Sequence, residues 1–385
     1  MLSNADIDIM ATEEFRQSVL RNIERDPVVV ALDKHVENAS LVATQVKYLQ
    51  RAKHKLPRLY AAGCIIPPRA FEQSSSEDSA AVKAISGGSL LDLTCGLGID
   101  TMSFAERFDR VVALERDEVL ARIVRYNLGL LGIANVEVVT TTAEEYLQQC
   151  EEHFDWVFVD PDRRSAEGKK MVRMEDCSPN VLEQMANIAR VADRLGVKLS
   201  PLFDVEEARR LFPQSEVEVV SIAGECKELN VYTKASCEML RIVIAGVGVW
   251  EYNFEATTAR PTTASLDIES AKYLIIPDVA MQKGRVAVAE FGRYAQIWSN
   301  NGYAFARMLP EGKIPARVYD IERIERYNPK QLKKEFRGVG VEILKRDTQL
   351  GVDAVRKATG MRAGSERMIA ITAINSDIWV VYIKR

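Results

Sequence analysis

At 385 residues, with 47% hydrophobic and 28% charged side chains, the chain has an ordinary globular composition and is too long for one core, so two to four structural units are expected. No stretch approaches the roughly 20 apolar residues of a membrane span, and the opening MLSNADIDIMATEEF lacks the apolar run of a secretory signal. A net charge of −4 argues against a surface coated in basic groups, yet Ala316 to the end carries a net +6, which suits an anion-binding tail module on an acidic body and equally the chance surface of a small exposed domain.

In chain order, Phe15, Val19, Leu20 and Ile23 repeat at helical spacing until Asp26-Pro27. A second helical stretch runs through Val29, Leu32, Val36, Val42, Val46 and Leu49, and the prolines of KLP (55–57) and IIPP (65–68) stop it. The polar EQSSSEDS (72–79) suits the cap of a helix beginning near Glu77.

From Ser89 the pattern alternates between strands and helices. Strands are predicted at SLLDLT (89–94), RVVALE (110–115), VEVVTT (136–141), DWVFVD (155–160), VKLSP (197–201), EVEVVSI (216–222) and LRIVIA (240–245). Short, wholly apolar strands separated by amphipathic helices indicate a parallel sheet covered on both faces, a doubly wound α/β fold. The last two strands have little helix between them and suit an antiparallel edge. After the polar FEATTARPTTASLD, a strand (273–277), a helix (about 279–297) and a strand (303–308) read as a βαβ unit. A second small α/β module follows, with the basic helix PKQLKKEF and a closing hairpin.

The chemistry concentrates in LLDLTCGLGIDT (90–101), where a buried strand ends in Asp92 and turns through Gly96 and Gly98 into a helix. Glycine there allows a tight turn and lets a ligand touch backbone. Glu115 ends the next strand; its carboxylate can receive both hydroxyls of an adenosyl ribose, or act as the charge at a helix N-terminus. Thr101 stands where a dinucleotide fingerprint needs its third glycine, and no GK[ST] follows, so neither NAD nor a Walker A phosphate loop fits. The fourth strand closes on Asp160-Pro161, followed by Asp162, Arg163 and Arg164.

These motifs in this order resemble the class I methyltransferases that use S-adenosylmethionine (SAM). More narrowly, KLP, EQSSSE, DLTCGLGIDT, DPDRR, KLSP (198–201) and ECKEL (225–229) resemble a bacterial family with a helical N-terminal region, a ferredoxin-like domain and a C-terminal THUMP-like domain. The resemblance implies four parts: a helical region (1–67), a Rossmann-like methyltransferase domain (68–255), a ferredoxin-like domain (256–315) and a THUMP-like domain (316–385). It implies SAM contacts at Gln73, Asp92, Thr94, Gly96, Gly98, Asp100, Glu115, Ala143 and Asp160. THUMP domains generally bind RNA, so it also implies a cytoplasmic enzyme methylating a base in structured RNA, docked through Lys330, Lys333 and Lys334. Those lysines read equally well as a solvated helix face.

Asp160 can accept a hydrogen bond from, or take the proton of, the methyl acceptor. Asp162 and Arg163 replace the second proline and the aromatic residue of amino-group methyltransferases, which weighs against an exocyclic amine. Arg163 and Arg164 suit a phosphate or a base, or ion pairs with Asp162 or Glu167. Cys95, Cys177 and Cys226 raise a covalent route to pyrimidine C5, although structural cysteine is the commoner meaning. His35, His54 and His153 read as surface or structural residues, and with no CxxC pair no metal is expected. Methylation of a protein or small molecule, or SAM binding without turnover, are the alternatives.

Overall fold

The computed structural model describes residues 2–163, 174–234, 237–261 and 268–384, with only the backbone at Arg163. Arg164 and Glu167 lie outside the described residues. The chain divides into two compact units, Met1–Glu216 with Glu228–Cys237, and Val217–Lys227 with Glu238–Arg385. The expected boundaries at 67, 255 and 315 do not coincide with this division.

The first unit opens with helices α1 (Asn4–Met10), α2 (Glu13–Arg21), α3 (Pro27–Leu32), α4 (Ala39–Lys55), α5 (Pro57–Ala62), α6 (Pro68–Gln73) and α7 (Glu77–Ala81). Ser76 caps α7 by accepting the Ser79 N–H, as the polar run suggested. Prolines both end and begin helices here: Pro57 and Pro68 each sit in a first helical turn, where the missing N–H costs nothing. Between α5 and α6, Ile65 and Ile66 run extended through the interior, and buried amides satisfy their backbone. Asn127 bonds both the N–H and the C=O of Ile65 at 2.9 Å, and Gln45 does the same for Ile66. These helices share one core with the first two helices that follow them in the sheet region, through Val46, Leu59, Ile99, Val124 and Leu128.

The sheet follows as β1 (Gly87–Asp92), α8 (Ile99–Phe104), β2 (Phe108–Glu115), α9 (Glu118–Leu130), β3 (Val136–Thr140), α10 (Ala143–Gln149), β4 (Phe154–Val159), the short pair β5 (Asp162–Arg163) and β6 (Cys177–Ser178), α11 (Val181–Val191), β7 (Ala192–Leu199) and α12 (Val205–Leu211). Then come β8 (Ser215–Ile222) and β9 (Glu225–Thr233). Strands of the first unit lie in the order β9-β7-β4-β1-β2-β3. All pairings from β7 to β3 are parallel, and β9 is antiparallel to β7. The order reverses between β1 and β4, so the crevice of this doubly wound fold opens at their carboxyl ends. Strand β9 was not foreseen: ECKELNVYT mixes charges into its first half, which hides the apolar second half from a pattern reading.

The second unit contains β8, β10 (Met239–Ile244) and β11 (Gly248–Tyr252), in the order β11-β10-β8. It continues with β12 (Tyr273–Pro277), α13 (Val279–Lys283), α14 (Ala287–Phe291), β13 (Gln296–Ile297), β14 (Ala304–Ala306) and β15 (Ala316–Arg326). The chain closes with α15 (Pro329–Phe336), β16 (Gly340–Arg346), α16 (Val352–Thr359), β17 (Arg362–Ala363), β18 (Arg367–Ile374) and β19 (Asp377–Ile383). The expected βαβ unit is corrected: β14 returns antiparallel to β12. The single helix expected at 279–297 is broken at Gly284-Arg285, Arg285 taking a positive φ of 56°, and a short β13–β14 hairpin reverses the chain. Strand β12 also pairs with β15, so the expected ferredoxin-like and THUMP-like parts share one eight-stranded sheet.

Candidate active site

Asp92, at the end of β1, is almost fully buried and shapes the loop beyond it. One carboxylate oxygen accepts the Thr94 N–H at 3.0 Å and the other the Thr101 hydroxyl at 2.5 Å. Burial pushes its pKa up to about 7. The turn needs two left-handed residues, Gly96 (φ 57°) and Gly98 (φ 82°). A Cβ on Gly98 would stand 3.1 Å from Val124, whereas one on Gly96 would meet nothing within 4 Å, so Gly96 faces open space.

Glu115 ends β2 directly below this loop. It accepts the Gly96 N–H at 3.0 Å and the Asp117 N–H at 2.9 Å, one bond to each oxygen. A carboxylate has about four lone-pair sites, so half its capacity remains. Burial raises its pKa. Thr94 turns its hydroxyl toward the fourth strand, accepting the Asp160 N–H at 2.7 Å, and so fixes the two loops to each other. Ala143 is the first residue of α10, buried beyond the tip of β3 and introduced by a Thr142–Glu145 capping box.

The remaining expected residues divide. Asp100 points inward, 2.7 Å from Lys83 and 2.7 Å from the Ser75 hydroxyl. Burial works against its charge, but the Lys83 and Lys198 ammonium groups prevail and hold its carboxyl below the usual range. Gln73 ends α6 exposed, and Glu72 is drawn away by Arg51 at 2.5 Å; from EQSSSEDS it is Ser75 that reaches the site. Asp160 stands at the mouth of the crevice, 2.5 Å from Lys198 on β7. Asp162 is exposed and, with Arg163, forms the backbone pair to Ser178 and Cys177. Lys330, Lys333 and Lys334 are exposed on α15 in the second unit.

Sequence reasoning missed three charged residues: Lys83, Lys198 and Glu228. Lys83 is fully buried and meets Glu228 at 2.8 Å. The available signals were a lysine inside the apolar AAVKAI, and the charges of the KLSP and ECKEL motifs. The thiols offer no nucleophile at the Gly loop: Cys95 is buried and its pKa is pushed up by burial. Among the described residues no group of three or more His, Cys, Asp or Glu is placed to hold a metal ion, and no helix is long and apolar enough to cross a membrane.

Comparison with known proteins agrees with this geometry. Residues 316–385 match the THUMP domain-like family, and residues 73–186 match the family described as conserved hypothetical protein 95. A Mycobacterium tuberculosis protein described as an uncharacterized SAM-dependent methyltransferase is 22% identical over 347 residues, covering 85% of this chain and 90% of its own. A tRNA/tmRNA (uracil-C(5))-methyltransferase of Neisseria meningitidis is 28% identical over 143 residues, 31% of this chain and 39% of that one. A solved structure described as that of a putative methyltransferase from Porphyromonas gingivalis W83 shares the fold over 100% of this chain and 99% of its own, with a TM-score of 0.83 at 22% identity. Fold and site together define a SAM-dependent methyltransferase of class I. This chain is such an enzyme, carrying a THUMP-like domain at its C-terminal end.

Proposed function

We propose that the enzyme methylates a structured RNA in the cytoplasm, holding SAM over the Gly96–Gly98 turn and the acceptor against Asp160. SAM supplies a methyl group on a sulfonium carbon. The residues present suit it: Glu115 keeps lone pairs for the ribose hydroxyls, Gly96 leaves its side of the loop open, and Ala143 offers a small apolar surface near the expected adenine. Asp92, Thr94 and Asp100 act through the loop, fixing its shape by hydrogen bonds and ion pairs. Gln73 stays at the rim.

Asp160 orients the acceptor and takes its proton. Thr94 and Lys198 hold Asp160 from two sides, so its carboxylate is set in place before substrate arrives. The cysteine-dependent C5 route has no support at Cys95, whose thiol is shut in the core. The expectation of a base as acceptor rests on the family resemblance.

One observation carries the RNA reading: the module that matches the THUMP-like family presents Lys330, Lys333 and Lys334 together on an exposed helix. The test incubates the protein and methyl-labelled SAM with total RNA from a strain lacking the gene, beside an Asp160→Ala control and a protein extract. Label in one RNA size class, lost in the variant, is the expected result. Label in protein alone would overturn the proposal.

A further inference from the structure

Five ionisable side chains from five separate segments alternate in charge along the wall of the crevice. Glu228 meets Lys83 at 2.8 Å and Lys83 meets Asp100 at 2.7 Å; Asp100 lies 3.5 Å from Lys198, and Lys198 meets Asp160 at 2.5 Å. The Ser75 hydroxyl joins the middle, donating to Asp100 at 2.7 Å and accepting from Lys198 at 2.8 Å. Side-chain exposure climbs from 0% at Lys83 through 13% at Lys198 to 39% at Asp160. The array is therefore anchored in the interior and meets solvent at its Lys198–Asp160 end. Buried ions are a poor way to gain stability, since well-packed apolar residues serve as well. An array that ends on the expected proton acceptor calls for a chemical reason.

The charges say which acceptor this end fits. Burial disfavours the Lys198 ammonium, but Asp160, Asp100 and Glu228 outweigh it and raise its pKa, so Lys198 keeps its proton at neutral pH. It is a fixed cation, and Asp160 is left to take the proton. When an amine is methylated, positive charge grows on nitrogen, which an ammonium at this distance opposes. When a hydroxyl is methylated, negative charge grows on oxygen as its proton leaves, and the same ammonium stabilises it. A hydroxyl also satisfies both groups through one atom, donating to Asp160 and accepting from Lys198. A ring N–H could lose its proton too, but a base must be drawn out and stacked. From Pro161 to Asn180 the sequence holds no aromatic residue, and Phe203 beyond β7 is buried.

We propose that the acceptor is a ribose 2′-hydroxyl of the RNA, held between Asp160 and Lys198, with Lys83, Asp100 and Glu228 as positioning residues for that pair. This rests on the RNA reading above. The hydroxyl proton passes to Asp160 as an oxygen lone pair forms the new O–C bond. The C–S bond of the donor breaks with its electron pair left on sulfur, and Asp160 then releases the proton to water.

The experiment digests RNA labelled by the full-length enzyme to nucleosides and asks by mass spectrometry whether the methyl group sits on sugar or base. The intact RNA is also tested for alkaline cleavage at the labelled site. A sugar methyl and a linkage that resists alkali are expected. A methyl on the base overturns the inference while leaving the RNA reading intact; no label in any RNA overturns both. Lys198→Met should lower kcat by about 100-fold or more with SAM affinity by calorimetry unchanged, and Lys198→Arg should recover part of it. Full activity in Lys198→Met would remove Lys198 from the reaction.

For the positioning residues the readout is the acid limb of the kcat profile. Asp160 is faced by Lys198, Asp100, Glu228 and Asp92, and Lys83 acts on it through Asp100. Lys83→Met leaves Asp100 to compete for Lys198, so Asp160 holds its proton more tightly and the limb moves to higher pH. Should that variant not fold, Glu228→Gln removes a negative charge that raises the Asp160 pKa and should move the limb to lower pH. An unmoved limb in the folded variant rejects the positioning role.

Discussion

Replacing Lys83 by methionine keeps the length of the side chain and removes a charge that has no contact with solvent. Asp100 and Glu228 then face each other across the vacated ammonium position, each having lost a partner within 2.8 Å. Breaking a buried ion pair from one side costs about 3–5 kcal/mol, because the remaining charge stays desolvated without its counter-ion. Lys198 still lies 3.5 Å from Asp100, which shields that carboxylate and leaves Glu228 as the main liability. For a unit of this size, at roughly 2–4 °C per kcal/mol, the Tm should fall by roughly 6–20 °C. Thermal and urea unfolding would be followed without SAM, since a bound ligand adds its own stabilisation. Adding Glu228→Gln and Asp100→Asn to Lys83→Met neutralises the stranded carboxylates and should restore most of the loss. A single-variant loss below about 1 kcal/mol, the size of an exposed ion pair, would refute the claim that this array is dry and charged.

Other outcomes are equally specific. Glu115→Gln should weaken SAM binding in calorimetry by about tenfold or more, since hydrogen bonds to a charged acceptor contribute about 1.5–3 kcal/mol; unchanged affinity would dissociate Glu115 from the ribose. Asp92, with a folded pKa of about 7 against an ordinary 3.8, favours the folded state while protonated. That contribution is complete below pH 4 and is lost as pH rises to 7, by up to roughly 4 kcal/mol at about 1.36 kcal/mol per unit. Asp92→Asn should therefore flatten the fall in Tm over that window relative to wild type, and identical slopes would contradict the burial argument. Reversing charge at Lys333 and Lys334 should weaken RNA binding and shallow its log–log salt dependence by roughly one unit per lost phosphate contact. An unaltered slope would take α15 out of the docking surface.

What local backbone physics controls is legible along the chain. Gly96 and Gly98 had to be glycine for the chain to turn left-handed twice within three residues. Strands β1 to β4 were legible because each is an apolar run closed by polar or glycine punctuation, and Glu115 and Asp160 were legible because they stand at strand ends, where a parallel sheet exposes its crevice. The roles of Lys83, Asp100, Lys198 and Glu228 arise from packing. They lie far apart along the chain, and a lone lysine or glutamate in a sequence ordinarily means solvated surface. Strand pairing around β1, β4, β7 and β9 brings them together, and burial then converts ordinary surface charges into an ordered array. The same holds for β12 to β15: β12 and β14 could be read locally and β13 fell inside an expected helix, but antiparallel pairing across long loops is set by packing between strands, which no local pattern records.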